Sequence, residues 1–247
     1  MLVVANWKAY VENRDDAKEL FSLAKRLVAA SRKIKLVLAP PAPFLGLLAA
    51  GNRTKVLFAG QDVSLAKVGA ATGEVSAGAL RAAGASYVIV GHSERRAMGE
   101  TDEIVAEKMK QALIRGLTPI LCVGERERDE EARYLSGVRR QVETAFSGLS
   151  PRERLKVVVA YEPVWAIGRH ADDAITSRDL TEMTLYIRKV LGEFLAGRSA
   201  QKAVVLYGGS AEAPNVAELA ATGIDGFLVG HASADPKMFA ALVKALR

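Results

Sequence analysis

The feature that most constrains this chain is a series of eight short runs, each apolar at nearly every position. They fall at residues 2–5, 34–39, 56–59, 87–90, 120–123, 157–160, 203–206 and 227–229. A strand with one face in water alternates apolar and polar side chains. A run without that alternation belongs to a strand buried on both faces, which is the situation of parallel sheets. Between the runs lie amphipathic stretches of helical period. Asp15 or Asp16 is placed to start the first helix, with Leu20, Leu23, Ala24, Leu27 and Val28 on one face. Thr101 can cap a helix that turns Ile104, Val105, Met109, Ala112 and Leu113 inward and ends near Gly116. Ser177, or Thr176 before it, can begin a long helix, and Asp235-Pro236 fits the start of the last one, carrying Met238, Leu242 and Leu246.

Strand and helix so alternate eight times in 247 residues, with no linker, low-complexity tract or composition shift. The expectation is an α/β protein with one domain over 1–247, most simply a closed (β/α)8 barrel. An open doubly wound sheet is the rival. Such sheets usually carry a glycine-rich nucleotide turn after the first strand, where this chain has Asn6-Trp7-Lys8.

Half the residues are hydrophobic, enough for a large core. Cys122 is the only cysteine, so no intramolecular disulfide forms, and the three histidines offer no zinc spacing. A net charge of +6 raises the question of nucleic acid. However, Arg126, Arg128, Arg133, Arg139 and Arg140 alternate with Glu125, Glu127, Asp129, Glu130 and Glu131, as on a solvated helix face, and no nucleic-acid partner is expected. The longest uncharged stretch, 36–52, is broken by Pro40, Pro41 and Pro43, which argues against a membrane helix. The apolar part of residues 1–8 is too short for a secretion signal, so a cytoplasmic protein is expected.

In a closed barrel of this kind chemistry gathers at the C-terminal ends of the strands. The first exit offers Asn6 and Lys8, the fourth Gly91-His92-Ser93-Glu94, and the sixth Tyr161-Glu162-Pro163. A carboxylate at the edge of a dry run, against Tyr161 and Trp165, gains basicity because its charge is poorly solvated. Taken singly, the lysine, the histidine and the glutamate each have an ordinary structural explanation; their convergence on one end of a barrel would not. The last two exits, Tyr207-Gly208-Gly209-Ser210 and Val229-Gly230-His231, are rich in glycine and stand where barrels often bind phosphate. Residues 163–173 are too apolar for an idle loop and read as a lid beside Glu162, with a static packed loop as the plainer alternative.

These segments carry a resemblance. ANWK at 5–8, GHSERR at 91–96, LCVGE at 121–125, AYEPVWAIG at 160–168, YGGS at 207–210 and DGFLVG at 225–230 occur in the order and spacing of the triosephosphate isomerase family. The resemblance implies a TIM barrel that interconverts dihydroxyacetone phosphate and D-glyceraldehyde 3-phosphate through an enediolate, in glycolysis and gluconeogenesis. It implies Glu162 as the base, His92 as a neutral electrophile, and Lys8 as fixed positive charge, with Asn6 positioning. Asn6, Lys8, Gly168, Ser210, Gly230 and His231 would hold a small phosphorylated three-carbon substrate. Glu94 would pair with Lys8, and Cys122 would be structural. It also implies a homodimer through the loop from Asp62 to Ser76, whose tip near Thr72 docks beside the partner's Lys8 and the partner's His92.

Three places depart from the family pattern. Gly168-Arg169-His170-Ala171 stands where Gly-Thr-Gly-Lys is usual, Gly230-His231 where Gly-Gly is usual, and Ala9-Tyr10, near the expected dimer contact and so bearing on the interface more than on the chemistry, where Met-Asn is common. A side chain at 231 requires negative φ, and a protonated imidazole there would add charge to a phosphate site. Three other functions compete, one of them a metal-dependent barrel using His92 and Glu162, whereas the resemblance itself implies neither a metal nor an organic cofactor. A Schiff-base aldolase needs a desolvated lysine at a strand exit, for which only Lys8 is available. A silent phosphate-binding protein has no use for a base, an imidazole and a cation together.

Overall fold

The continuous apolar runs are strands, each within two residues of its predicted bounds. They are β1 (Leu2–Asn6), β2 (Lys35–Ala39), β3 (Leu57–Gly60), β4 (Tyr87–Val90), β5 (Thr118–Val123), β6 (Val158–Tyr161), β7 (Val205–Tyr207) and β8 (Gly226–Val229). The structure is a computed structural model that describes residues 1–65, 69–167 and 175–247. All neighbouring pairs are parallel, and β8 returns to β1 with Leu2 opposite Gly226 and Ala5 opposite Val229, closing a single-domain (β/α)8 barrel. The doubly wound alternative is thereby excluded. Closure demands a glycine: a Cβ at 226 would lie 1.7 Å from the carbonyl oxygen of Leu2.

Around the barrel run α1 (Arg14–Ala29), α2 (Ala42–Ala49), α3 (Ala77–Ala82), α4 (Ser93–Ala97), α5 (Asp102–Ile114), α6 (Arg133–Ser147), α7 (Pro151–Arg154), α8 (Ser177–Gly192), α9 (Arg198–Gln201), α10 (Val216–Ala220) and α11 (Pro236–Ala245). Strand side chains alternate between two cores. Val3, Ala5, Val88, Val90 and Val159 face the helices, whereas Leu2, Val4, Ile89, Cys122, Ala160, Leu206 and Leu228 fill the barrel. Among the described residues no helix is long and apolar enough to cross a membrane.

Thr101, Thr176 and Asp235 cap α5, α8 and α11 as predicted. The start of α1 differs. Its cap is Asn13, whose Oδ1 accepts from the N–H groups of Asp15 (3.1 Å) and Asp16 (2.9 Å). The two aspartates instead occupy the first turn, where the helix dipole favours negative charge. Ala17 takes the buried place expected for Leu23, and in α11 the buried stripe runs through Phe239, Leu242 and Val243, leaving Met238 and Leu246 half-buried. A third correction concerns the alternating charges at 125–140. Only Arg133, Arg139 and Arg140 lie on α6, and Glu125 is buried, so the run is not one solvated face.

Beneath the loop that begins at Asp62 lies an ion cluster around the buried Lys108. The ammonium of Lys108 is 2.7 Å from both carboxylate oxygens of Asp62 and 2.5 Å from Glu100 Oε1. Arg95 reaches the same Glu100 oxygen at 2.7 Å and Asp62 at 3.0 Å. Burial pushes the Glu100 carboxyl up, but the hydrogen bonds from Lys108 and Arg95 outweigh it, so it titrates below the ordinary carboxylate range. A carboxyl lowered by folding stabilises the native state at neutral pH and loses that contribution as pH falls through its folded value. Lys108→Ala should therefore cost about 3 kcal/mol in urea unfolding at pH 7, since it leaves the Glu100 and Asp62 carboxylates with Arg95 as their remaining cation. Glu100→Gln should decline less steeply than the wild type when the titration is carried below about pH 4.5.

Candidate active site

The inward rows of the barrel do not stop at the strand ends. Leu2 and Val4 are followed in the same parity by Asn6 and Lys8, and Val158 and Ala160 by Glu162. Lys8 takes a left-handed backbone, with φ of 48°, a conformation that costs a side-chain-bearing residue about 1–3 kcal/mol. Two groups hold it there. Asn6 Oδ1 accepts from the Lys8 N–H at 3.1 Å, and Gln61 Nε2 donates to the Lys8 carbonyl at 2.8 Å and to that of Ala39 at 2.9 Å. The Lys8 ammonium lies 2.6 Å from Glu94 Oε1, the pair expected from the sequence.

His92 caps α4. Its Nδ1 accepts from the Glu94 N–H at 3.2 Å, which requires a lone pair on that nitrogen. In the neutral ring the hydrogen is then on Nε2, the atom facing Glu162 Oε1 at 3.3 Å. The alignment is too poor for a hydrogen bond, and Oε1 has no other partner among the described residues. Glu162 Oε2 accepts from the Ser93 N–H at 2.9 Å. Both side chains are buried, His92 7% exposed and Glu162 2%. Behind them the thiol of Cys122 is pushed up, by burial first and then by the Glu162 carboxylate.

In front of His92 a cavity of about 280 Å³ is lined by Asn6, Lys8, Ser210, Gly230 and His231. Ile167 and the carboxylate-bearing Glu212 also line it. Glu162 does not. It faces a larger cleft of about 820 Å³ on the other side, shared with Ser93, Cys122 and Glu125. The two glycine-rich exits serve different ends. The N–H of Gly208 is engaged by the Tyr161 carbonyl at 2.8 Å, so this glycine matters for packing and not as an anion ligand. A Cβ there would stand 2.8 Å from Glu162 Cγ. Gly230 has negative φ and opens a 3-10 turn over His231–Ser233, where a side chain at 231 fits without strain.

The near end of the predicted lid forms a 3-10 turn over Val164–Ala166. Its anchor is Glu125, which is buried and not on a solvated helix face. One oxygen, Oε1, accepts from Tyr161 Oη (2.7 Å), Trp165 Nε1 (2.9 Å) and Arg128 Nε (3.0 Å). Arg128 also stacks on Trp165, 5.0 Å from the ring centroid, and pairs with Asp179 at 3.2 Å. Burial and the neighbouring Glu125 carboxylate push the Tyr161 hydroxyl far above its ordinary range. Ser210 Oγ donates to the Ala166 carbonyl at 3.0 Å, joining the anion cavity to the same turn. A clue to Glu125 was present, since it follows Gly124 at the exit of β5 as Glu162 follows β6. Gly168 and the unusual Arg169-His170-Ala171 lie outside the described residues.

A closed eight-stranded barrel that collects a carboxylate, an imidazole and an ammonium at its strand exits has the form of a barrel enzyme. The family model for triosephosphate isomerase matches residues 1–246. The chain is 42% identical over 251 residues to the triosephosphate isomerase of Thermus thermophilus, covering 99% of this chain and 98% of that protein. Against the enzyme of Moorella thermoacetica it is 41% identical over 245 residues, covering 98% and 97%, and against that of Symbiobacterium thermophilum 39% over 250 residues, covering 99% and 96%. The chain belongs to the triosephosphate isomerase family and is an isomerase of the kind that interconverts an aldose and a ketose.

The contact between Gly208 and Glu162 gives a direct test of the site's packing. Gly208→Ala should lower isomerase kcat tenfold or more by displacing the carboxylate, while circular dichroism remains that of the wild type.

Proposed function

We propose that this isomerase interconverts dihydroxyacetone phosphate and D-glyceraldehyde 3-phosphate by proton transfer through an enediolate, acting in glycolysis and gluconeogenesis in the cytoplasm. The observation that carries the reading is the Glu162–His92 pair, Oε1 to Nε2 at 3.3 Å, whose histidine lines a cavity together with Lys8 and the last two strand exits. A proton next to a carbonyl is a very weak acid. Moving it requires a base within hydrogen-bond reach and fixed positive dipoles where the oxyanion develops.

Glu162 is the base. It takes a proton from one carbon and returns it to the neighbouring carbon. His92, with its hydrogen on Nε2, donates to the substrate oxygens, and the Lys8 ammonium adds fixed charge. Asn6 holds the backbone of Lys8 in its strained conformation. Ser210, Gly230 and His231, with the N–H of Gly168, hold the phosphate. The chemistry calls for neither a metal nor an organic cofactor. Since Glu162 is bonded to the Ser93 N–H and turned from the 280 Å³ cavity, it must leave Ser93 and swing toward the substrate as the lid closes. Closure removes water and so protects the reactive enediolate.

The assembly is a homodimer, with the loop from Asp62 to Ser76 docking beside the partner's Lys8 and the partner's His92; residues 66–68 of this loop lie outside the described residues. Exposed Leu65 and Val75 on that loop, and Met98, 77% exposed and lining one hollow with Leu65, support this reading.

In a coupled assay Glu162→Ala should lose on the order of a hundred- to ten-thousand-fold in kcat with KM changed far less. Near-normal turnover would remove Glu162 from the role of base. Met98→Lys should sediment at half the wild-type mass, and a wild type that sediments as a monomer would overturn the dimer.

A further inference from the structure

Two of the three departures from the family pattern touch each other. The rings of Tyr10 and His231 have centroids 5.4 Å apart at an interplanar angle of 30°. Both side chains line the cavity that holds Lys8, Ser210 and Gly230. Tyr10 follows β1 and His231 follows β8, the two strands that close the barrel, so the contact spans the closure at its catalytic end. The span is continuous. A Cβ at Gly230 would meet Lys8 Cε at 3.2 Å and Nζ at 3.6 Å, so the lysine side chain lies directly against the turn that His231 opens. Tyr10 is tied in turn to the lysine's loop by its N–H, which donates to the Trp7 carbonyl at 3.1 Å. An exposed histidine without a neighbour would sample several rotamers over the cavity mouth. A tilted aromatic contact removes that freedom and holds the 230–231 turn in register with Lys8.

We propose that Tyr10 is a positioning residue for the anionic end of the substrate, acting through its ring contact with His231. The proposal rests on the anion-binding role given above to Lys8, Gly230 and His231. It implies that the two departures are one device: the aromatic residue after β1 matters because a ring, not a glycine, stands at 231.

The test measures KM and kcat for D-glyceraldehyde 3-phosphate together with the calorimetric Kd of inorganic phosphate, which needs no turnover. Tyr10→Ala should raise both KM and the phosphate Kd about two- to tenfold with kcat nearly constant. Tyr10→Phe should restore both values. The double variant Tyr10→Ala, His231→Ala should be no worse than the worse single one. Additive effects, a phosphate Kd that does not move, or failure of Tyr10→Phe to restore it would overturn the proposal. So would a Tyr10→Ala protein of altered sedimentation coefficient, which would assign the tyrosine to a subunit contact. These phosphate shifts in the variants, with no triose phosphate turnover in the wild type, would sustain this inference and overturn the reaction proposed above. Normal turnover with an unmoved phosphate Kd would do the reverse.

Discussion

Everything at the catalytic end depends on the hydrogen-bonded closure of β8 onto β1. A closed parallel ring fixes the parity of every strand, because a slip of one residue would exchange the interior and exterior side chains. Gly226 permits that closure by letting the Leu2 carbonyl approach where any side chain would collide. Once parity is fixed, the inward rows that pack the barrel with Val4, Cys122 and Ala160 must continue past the strand ends. Asn6 and Glu162 are those continuations. The site is the last layer of the core, with polar groups in place of apolar ones.

Holding that layer has a cost, which nearby contacts offset. The left-handed backbone at Lys8 costs about 1–3 kcal/mol. The hydrogen bonds that the Lys8 backbone donates to Asn6 Oδ1 and accepts from Gln61 contribute about 0.5–1.5 kcal/mol each, so strain and restraint are comparable. Glu125 shows a harsher balance. One of its oxygens gathers three donors while the other is buried without a partner among the described residues, a penalty of about 1–3 kcal/mol. The three donors include a guanidinium, whose charge-assisted bond is stronger than a neutral one, and the outcome is a firmly seated base for the Val164–Ala166 turn.

The barrel was legible in the sequence because burial on both faces leaves a mark that needs no knowledge of neighbours. The strand exits were legible for the same reason, as polar residues placed just beyond each apolar run. What escaped depended on partners remote in the chain. Glu125 sits among arginines at Arg126 and Arg128, and local charge alternation reads as solvent exposure; only Tyr161 and Trp165, more than thirty residues away, draw it inward. The Asp62–Glu100–Lys108 cluster was missed likewise, since lysine ordinarily stays wet and here is buried by two carboxylates from other segments. Asn13 was passed over for the aspartates beside it, a choice between capping candidates that sequence spacing leaves open.

The lone thiol has a practical consequence. Cys122 points into the barrel, entirely hidden, and both burial and Glu162 hold it in the unreactive protonated form. A maleimide or disulfide reagent therefore finds no thiol to attack on the folded surface. The same atom becomes a built-in stopwatch for opening of the barrel, because labelling it requires the strands around it to part.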